Sequence, residues 1–145
     1  MLIQMELSRI IIREIADAQF IELSEIGGQR IFPIVVGKPE AYAIDRRLKG
    51  TEPERPQTHE LLASVIQQFG GTLLRIHIDD LHEGTFYAKL YIQQGDLEHE
   101  IDSRPSDAIA LGVAMQVPIF VEERVLDEVE KDFPDEETTE FGWQE

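Results

Sequence analysis

One offset along the chain limits the fold more than any other feature. Laid against itself with a shift of 66 positions and no gap, the sequence pairs Arg9 with Arg75, Ile10 with Ile76, Ile12 with Ile78, Phe20 with Phe86, Ile26 with Ile92 and Pro39 with Pro105. These are 6 identities in 31 aligned positions, joined by the conservative pairs Asp17/Glu83, Val35/Ile101 and Lys38/Arg104. Self-similarity at a fixed spacing points to a repeated supersecondary unit. Each copy reads as three strands and a helix. In the first, isoleucine- and valine-rich strands at 8–15, 18–26 and 30–36 precede a helix at about 39–49, with "GG" at 27–28 as a hairpin signal. In the second, strands at 72–80, 85–94 and 97–102 precede a helix at 105–116. The spacing therefore predicts an α+β fold. Two related βββα halves, about 9–44 and 75–111, form mixed or antiparallel sheets packed with helices within one domain, residues 1–131.

The joining segments fit that plan. Pro39 and Glu40 suit the start of the first helix, and Arg46, Arg47 and Lys49 suit its negative end. "GTEPERPQ" (50–57) is a proline-held connector. Thr58 is placed to cap a second helix at 59–69, whose Leu61, Leu62, Val65, Ile66 and Phe69 form one apolar stripe. A short strand "PIFVE" (118–122) and an amphipathic helix to about 131 close the domain. The two third strands differ. Phe32, Ile34 and Val36 share one face, so the first copy reads as buried on both sides, whereas the matching face of the second carries Glu98, Glu100 and Asp102.

Charge narrows the choice of partners. The 145 residues carry a net charge of −16, of which −9 falls in residues 122–145. Residues 132–145 hold six acids and no base and read as an acidic flexible tail. A chain this acidic repels polyanions at long range, so a broad electrostatic footprint for DNA or RNA is missing, and any contact with nucleic acid falls to a local basic group or a bridging metal. A second copy of the chain, in a homo-oligomer, is the other partner considered. There are no cysteines, no basic segment leading into a long apolar run at the N-terminus, and no apolar run near the roughly 20 residues that span a bilayer. The expected location is cytoplasmic, with no membrane partner.

Four polar groupings are candidates for chemistry. The first is "IDSRPSDAIALG" (101–112), where an almost wholly apolar helix begins among Asp102, Ser103, Arg104, Ser106 and Asp107. Buried helix starts need acceptors for their free amides, and Ser103, Ser106 and Asp107 supply oxygens, while Arg104 can pair with Asp102 or Asp107. The same groups also suit an anion site, with Arg104 as a phosphate fork and Ser106 and Arg55 as further substrate-binding groups. The second is the carboxylate row, in which Glu100 and Asp102, with Asp107, are the metal-binding candidates for magnesium or manganese. A half-exposed antiparallel strand carries the same pattern. The third is His59, at a helix start where a neutral imidazole is favoured and can act as general acid or base. The fourth is "HIDDLHE" (77–83), which reads mainly as a hairpin turn. Phosphate-binding glycine loops, zincin helices and nucleophile elbows are absent.

Three ordered blocks carry a family resemblance. "PIVVGKPEAYAI" (33–44), "RPQTHELL" (55–62) and "DSRPSDAIALGVAMQVPIFV" (102–121) are similar to the bifunctional nuclease family, with the likeness running from about residue 6 to residue 130. The resemblance implies an α+β domain of bacterial type that hydrolyses phosphodiester bonds as both DNase and RNase. It brings no agreed catalytic set. Some bacterial relatives carry a further C-terminal helical domain where this chain has its acidic tail. The expectation is metal-assisted hydrolysis by His59, Asp102, Arg104 and Asp107. The alternative is a non-catalytic binding or regulatory module that takes a small anion or a protein partner at the same helix mouth.

Overall fold

The computed structural model describes residues 1–132, so the acidic segment 133–145 lies outside the described residues. The elements are β1 (Leu2–Ile11), β2 (Ala18–Glu25), β3 (Ile31–Gly37), α1 (Lys38–Lys49), α2 (Thr58–Gln68), β4 (Gly71–His82), β5 (Thr85–Gln94), β6 (Leu97–Ser103), α3 (Pro105–Val113), β7 (Ile119–Glu122) and α4 (Glu123–Asp132). All the strands join one mixed sheet in the order β3-β2-β1-β7-β4-β5-β6. Each βββα unit is an antiparallel meander. The short β7 stitches the two together, running antiparallel to β1 and parallel to β4. The fold is α+β, as the strand and helix periodicities predict. No helix among the described residues is long and apolar enough to cross a membrane.

The sheet is strongly curled. Phe32 of β3 and Phe86 of β5 lie 5.7 Å apart between ring centroids, although four strands separate β3 from β5. In a flat sheet, five spacings of about 4.8 Å would hold them about 24 Å apart. The concave side holds the core. Ile21, Leu23, Phe32, Ile34, Ile76, Ile78, Ala88 and Leu90 meet Ala41 and Ile44 of α1, Ile109 and Leu111 of α3, and Val125 and Leu126 of α4. The convex side carries Lys89, Tyr91, Glu98, Glu100 and Asp102.

Strand registers show where a single offset holds. Leu7 opposes Leu23 and Arg9 opposes Glu22, leaving a bulge at Ser8. Leu73 opposes Ile92 and Arg75 opposes Tyr91, leaving a bulge at Leu74, 66 positions on. The second strands, however, correspond at 69 positions (Leu23 to Ile92), and the third strands at 67 (Phe32 to His99). Phe20 thus takes the place of Lys89, not of Phe86. Pro39 stands one residue deeper in α1 than Pro105 does in α3. Unequal turns produce the slip. Six residues join β1 to β2, whereas Glu83 and Gly84, both with positive φ, make a two-residue type I′ turn between β4 and β5.

Several local expectations change. β1 begins at Leu2 and ends before "REI", because Ile3 and Met5 are the inward residues and Ile15 is fully exposed. "HIDDLH" belongs to β4, with only Glu83 and Gly84 in the turn. β3 is buried on one face only, since Ile31 and Val35 are exposed on the convex side. Thr58 lies inside α2. Gln57 is the N-cap residue and forms a capping box with Glu60. The apolar stripe of α2 points outward: Leu61, Leu62, Val65 and Phe69 are exposed, Phe69 at 74%. The one buried residue of α2 is His59.

At Gly112, α3 packs tightly against β4. A β-carbon at Gly112 would stand 2.4 Å from the Ile76 Cδ1 and 2.8 Å from the Val117 Cγ2. Ile76 is fully buried and has no room to yield. Gly112→Ala should therefore destabilise the fold by roughly 1–3 kcal/mol through overpacking, although the same change in an exposed helix would stabilise it by about 1 kcal/mol. Urea unfolding monitored by circular dichroism checks the sign.

Candidate functional site

The apolar helix α3 explains why polar groups gather at its mouth. Ala108, Ile109, Ala110 and Leu111 are fully buried, so nothing on its sides meets water and its two ends carry all its polar traffic. Arg104 is the N-cap residue in extended conformation, with Pro105 at the first helical position. No side chain caps the free amides of this end by hydrogen bonding. Asp107 is used differently. Its Oδ1 lies 3.0 Å from the His59 Nε2, and its two oxygens accept from the Arg104 Nε at 2.9 Å and from the second terminal nitrogen at 3.1 Å. Arg104 also reaches Glu40 at the start of α1, at 3.4 Å. Asp102 is not its partner.

Three sequence-identified residues, His59, Arg104 and Asp107, thus form one chain of contacts across α2, the β6–α3 junction and α3. Burial raises the pKa of Asp107, but hydrogen bonds from Arg104 and His59 outweigh it and leave the carboxyl below its ordinary value. Asp107 is therefore ionised at neutral pH and accepts. In the neutral imidazole the proton then sits on Nε2, and the lone pair on Nδ1. Among the described residues no hydrogen bond is made at Nδ1. His59 is 8% exposed, whereas the Arg104 side chain is 63% exposed.

Behind His59 stands a clamp. Glu60 binds Arg47 at 2.9 Å and Arg46 at 3.2 Å, and accepts from the Gln57 amide. Burial raises the pKa of Glu60, and the two arginines overcome that and hold it low. The Arg47 side chain is almost wholly buried and also donates to the Ala110 and Leu111 carbonyls. These belong to the last turn of α3, where carbonyls lack partners within the helix. Glu40, Arg47 and Glu60 were not among the sequence-derived site residues. In the sequence Glu40 reads as a first-turn acid, Glu60 as a neighbour of His59, and Arg47 as a helix-end base within a basic cluster. Their meeting depends on helix packing that periodicity does not encode.

The remaining candidates lie elsewhere. Asp102 opposes Lys89 on the convex face, so strand alternation turns it away from Asp107. Glu100 binds Lys89 at 3.3 Å and accepts from the Tyr91 hydroxyl at 3.2 Å on that same face. The proposed metal set of Glu100, Asp102 and Asp107 does not converge. Among the described residues no three histidine, aspartate or glutamate side chains are placed to hold a metal ion. Ser106 is buried, and Arg55 is exposed in the α1–α2 connector. In "HIDDLHE", Asp79 pairs with Lys89 and Asp80 with Arg124. His77 is buried against Tyr91 and Phe120, and accepts from the Arg75 Nε at its own Nε2. Burial, then the charge of Arg75, push its pKa down, so it is neutral at pH 7.

Comparison with known proteins places the chain in a family. An uncharacterised protein of Mycobacterium tuberculosis is 43% identical over 114 residues, covering 79% of this chain and 68% of that protein. Bifunctional nuclease 1 of Oryza sativa subsp. indica is 25% identical over 104 residues, and bifunctional nuclease 2 of Oryza sativa subsp. japonica is 27% identical over 100. Those stretches cover 70% and 67% of this chain but 31% of each rice protein. The bifunctional nuclease domain matches residues 21–134, which include α1, α2, α3 and every contact of His59 and Asp107, and the chain belongs to that family.

Proposed function

We propose that this chain is a nuclease domain that cleaves phosphodiester bonds of DNA and RNA, with His59 and Asp107 as its reactive pair and Arg104 as its phosphate contact. The observation that carries the reading is the 3.0 Å contact between the His59 Nε2 and an ionised Asp107. Asp107 fixes the tautomer and stabilises the imidazolium, so Nδ1 is the nitrogen that accepts the proton of the attacking hydroxyl or water. As the new P–O bond forms and the old one breaks, the leaving oxygen takes a proton from solvent, and charge grows on the phosphoryl oxygens. The exposed guanidinium of Arg104 stands one side chain away to meet it. The roles assigned here fall to this chain's own side chains, and assistance by magnesium or manganese is read from the chelator arm of the cleavage assay. A cytoplasmic location suits a chain without cysteine.

A second reading has its own support. Arg104 is already held by Asp107 and Glu40, which leaves the local charge negative, and the whole chain carries −16. That balance suits a regulatory module that binds a protein partner through the helix mouth.

Cleavage of labelled RNA and DNA oligonucleotides by highly purified protein, with and without a chelator, tests the first reading. His59→Asn should keep the fold and lower the rate by about 10²–10⁴-fold. Equal rates for the variant and the parent sink the assignment. Arg104→Ala should cost about 0–1 kcal/mol of stability, because this ion pair is largely exposed. Its oligonucleotide affinity should fall; unchanged affinity would favour the regulatory module.

Acid unfolding supplies a further check. Because the Asp107 carboxyl is held low in the folded state, its contribution to stability is present above the unfolded pKa of about 3.9 and is lost as pH falls through the folded value. Asp107→Asn should flatten the stability profile below about pH 4 while lowering stability at pH 7. Urea midpoints measured across pH 3–7 read both effects.

A further inference from the structure

We infer that Arg47 is the positioning residue of the His59–Asp107 pair, acting as a bracket that sets the helix bearing His59 against the helix bearing Asp107. The inference rests on the nuclease reading for its catalytic consequence, and on geometry alone for its structural part. One guanidinium makes three bonds: Nε to the Ala110 carbonyl at 2.5 Å, one terminal nitrogen to the Leu111 carbonyl at 3.3 Å, and the other to the Glu60 Oε2 at 2.9 Å. Leu111 lies one turn beyond Asp107 on α3, and Glu60 follows His59 on α2. The start of α2 is therefore fastened to α3 at two levels, through His59 to Asp107 and through Glu60 and Arg47 to Leu111.

Little else holds α2 in place. Its Leu61, Leu62, Val65 and Phe69 face outward, and Ala63 and Ile66 are only partly buried against the core. A helix with so small an apolar anchor takes its position from its polar contacts. Arg46 offers an internal comparison. It also binds Glu60, at 3.2 Å, but makes no hydrogen bond to α3, and its Nε has no partner among the described residues. Both arginines offer Glu60 the same charge, and only Arg47 bridges two helices. A purely electrostatic role predicts equal effects for the two; a bracket predicts a large effect for Arg47 alone.

The test uses the full chain and two variants, Arg47→Met and Arg46→Met. The first readout is the nuclear Overhauser contact between the His59 ring and the Asp107 β-protons. The second is the split of oligonucleotide cleavage into kcat and KM. Arg47→Met should weaken the Overhauser contact to less than about half and lower kcat roughly 10- to 100-fold, with KM within about threefold, the pattern of a reactive group displaced by about an ångström. Arg46→Met should leave both within about twofold. A folded Arg47→Met protein that keeps the full His59–Asp107 contact overturns the inference, as do equal effects from the two variants. If Arg47→Met fails to fold, Glu60→Gln takes its place. It keeps the shape and a capping oxygen, removes the charge that Arg47 grips, and is held to the same two results. Absence of cleavage in the parent protein overturns the nuclease reading, and the Overhauser contact then decides on Arg47.

Discussion

A helix that is apolar on every side needs a wall on every side, and the rest of this molecule follows from enclosing α3. The sheet curls until Phe32 of β3 meets Phe86 of β5, and α1, α2 and the concave sheet supply the wall. Burying its four central residues sets a condition on its ends, because backbone groups left without partners in a dry interior cost about as much as a lost hydrogen bond. At the C-terminal end Arg47 answers two carbonyls. At the mouth, Asp107 looks sideways to His59 and Arg104 instead of back to the helix amides. The polar residues at the mouth are thus spent on contacts between elements.

That distribution separates the two acidic groups of the protein. Glu60 is largely buried and Asp107 half-buried, and arginines hold both, with the pKa of each pulled below its ordinary value against the effect of burial. Glu98, Glu100 and Asp102 stand on the convex face among Arg75, Lys89 and Tyr91, where solvent screens them. Chemistry that needs a carboxylate to steer an imidazole has the first environment. The second is an ordinary solvated sheet face.

The order and type of the elements were legible because isoleucine-rich alternation and proline-led helix starts are local signals. His59, Arg104 and Asp107 were legible for the same reason: each sits at a helix start, where a polar residue beside a buried run stands out. The relation of the carboxylates to one another is not legible from spacing. Neighbours in sequence such as Asp102 and Asp107 are carried to different sides of the sheet by one strand end and one helix turn. The direction of α2 was hidden too. Its stripe of Leu61, Leu62, Val65 and Phe69 has core periodicity, yet the capping box and the Glu60 clamp turn His59 inward instead. Tertiary ion pairs between α1 and α2 have no counterpart in a hydrophobic pattern, so the sequence shows Arg47 as one helix-end base of a basic cluster and not as a bridge between helices.

The position of β6 gives its carboxylates another role. Among the described residues it is the last strand of the sheet, with one row of backbone donors and acceptors outside the ladder. A second β6 added there would bring Glu98, Glu100 and Asp102 beside the same three acids of its neighbour at strand spacing, about 5 Å. Growth from this edge sets six like charges side by side. The acidic row that sequence spacing marks as a metal ligand set thereby serves as a guard against edge-to-edge aggregation, and it protects the border of the half that carries Asp107.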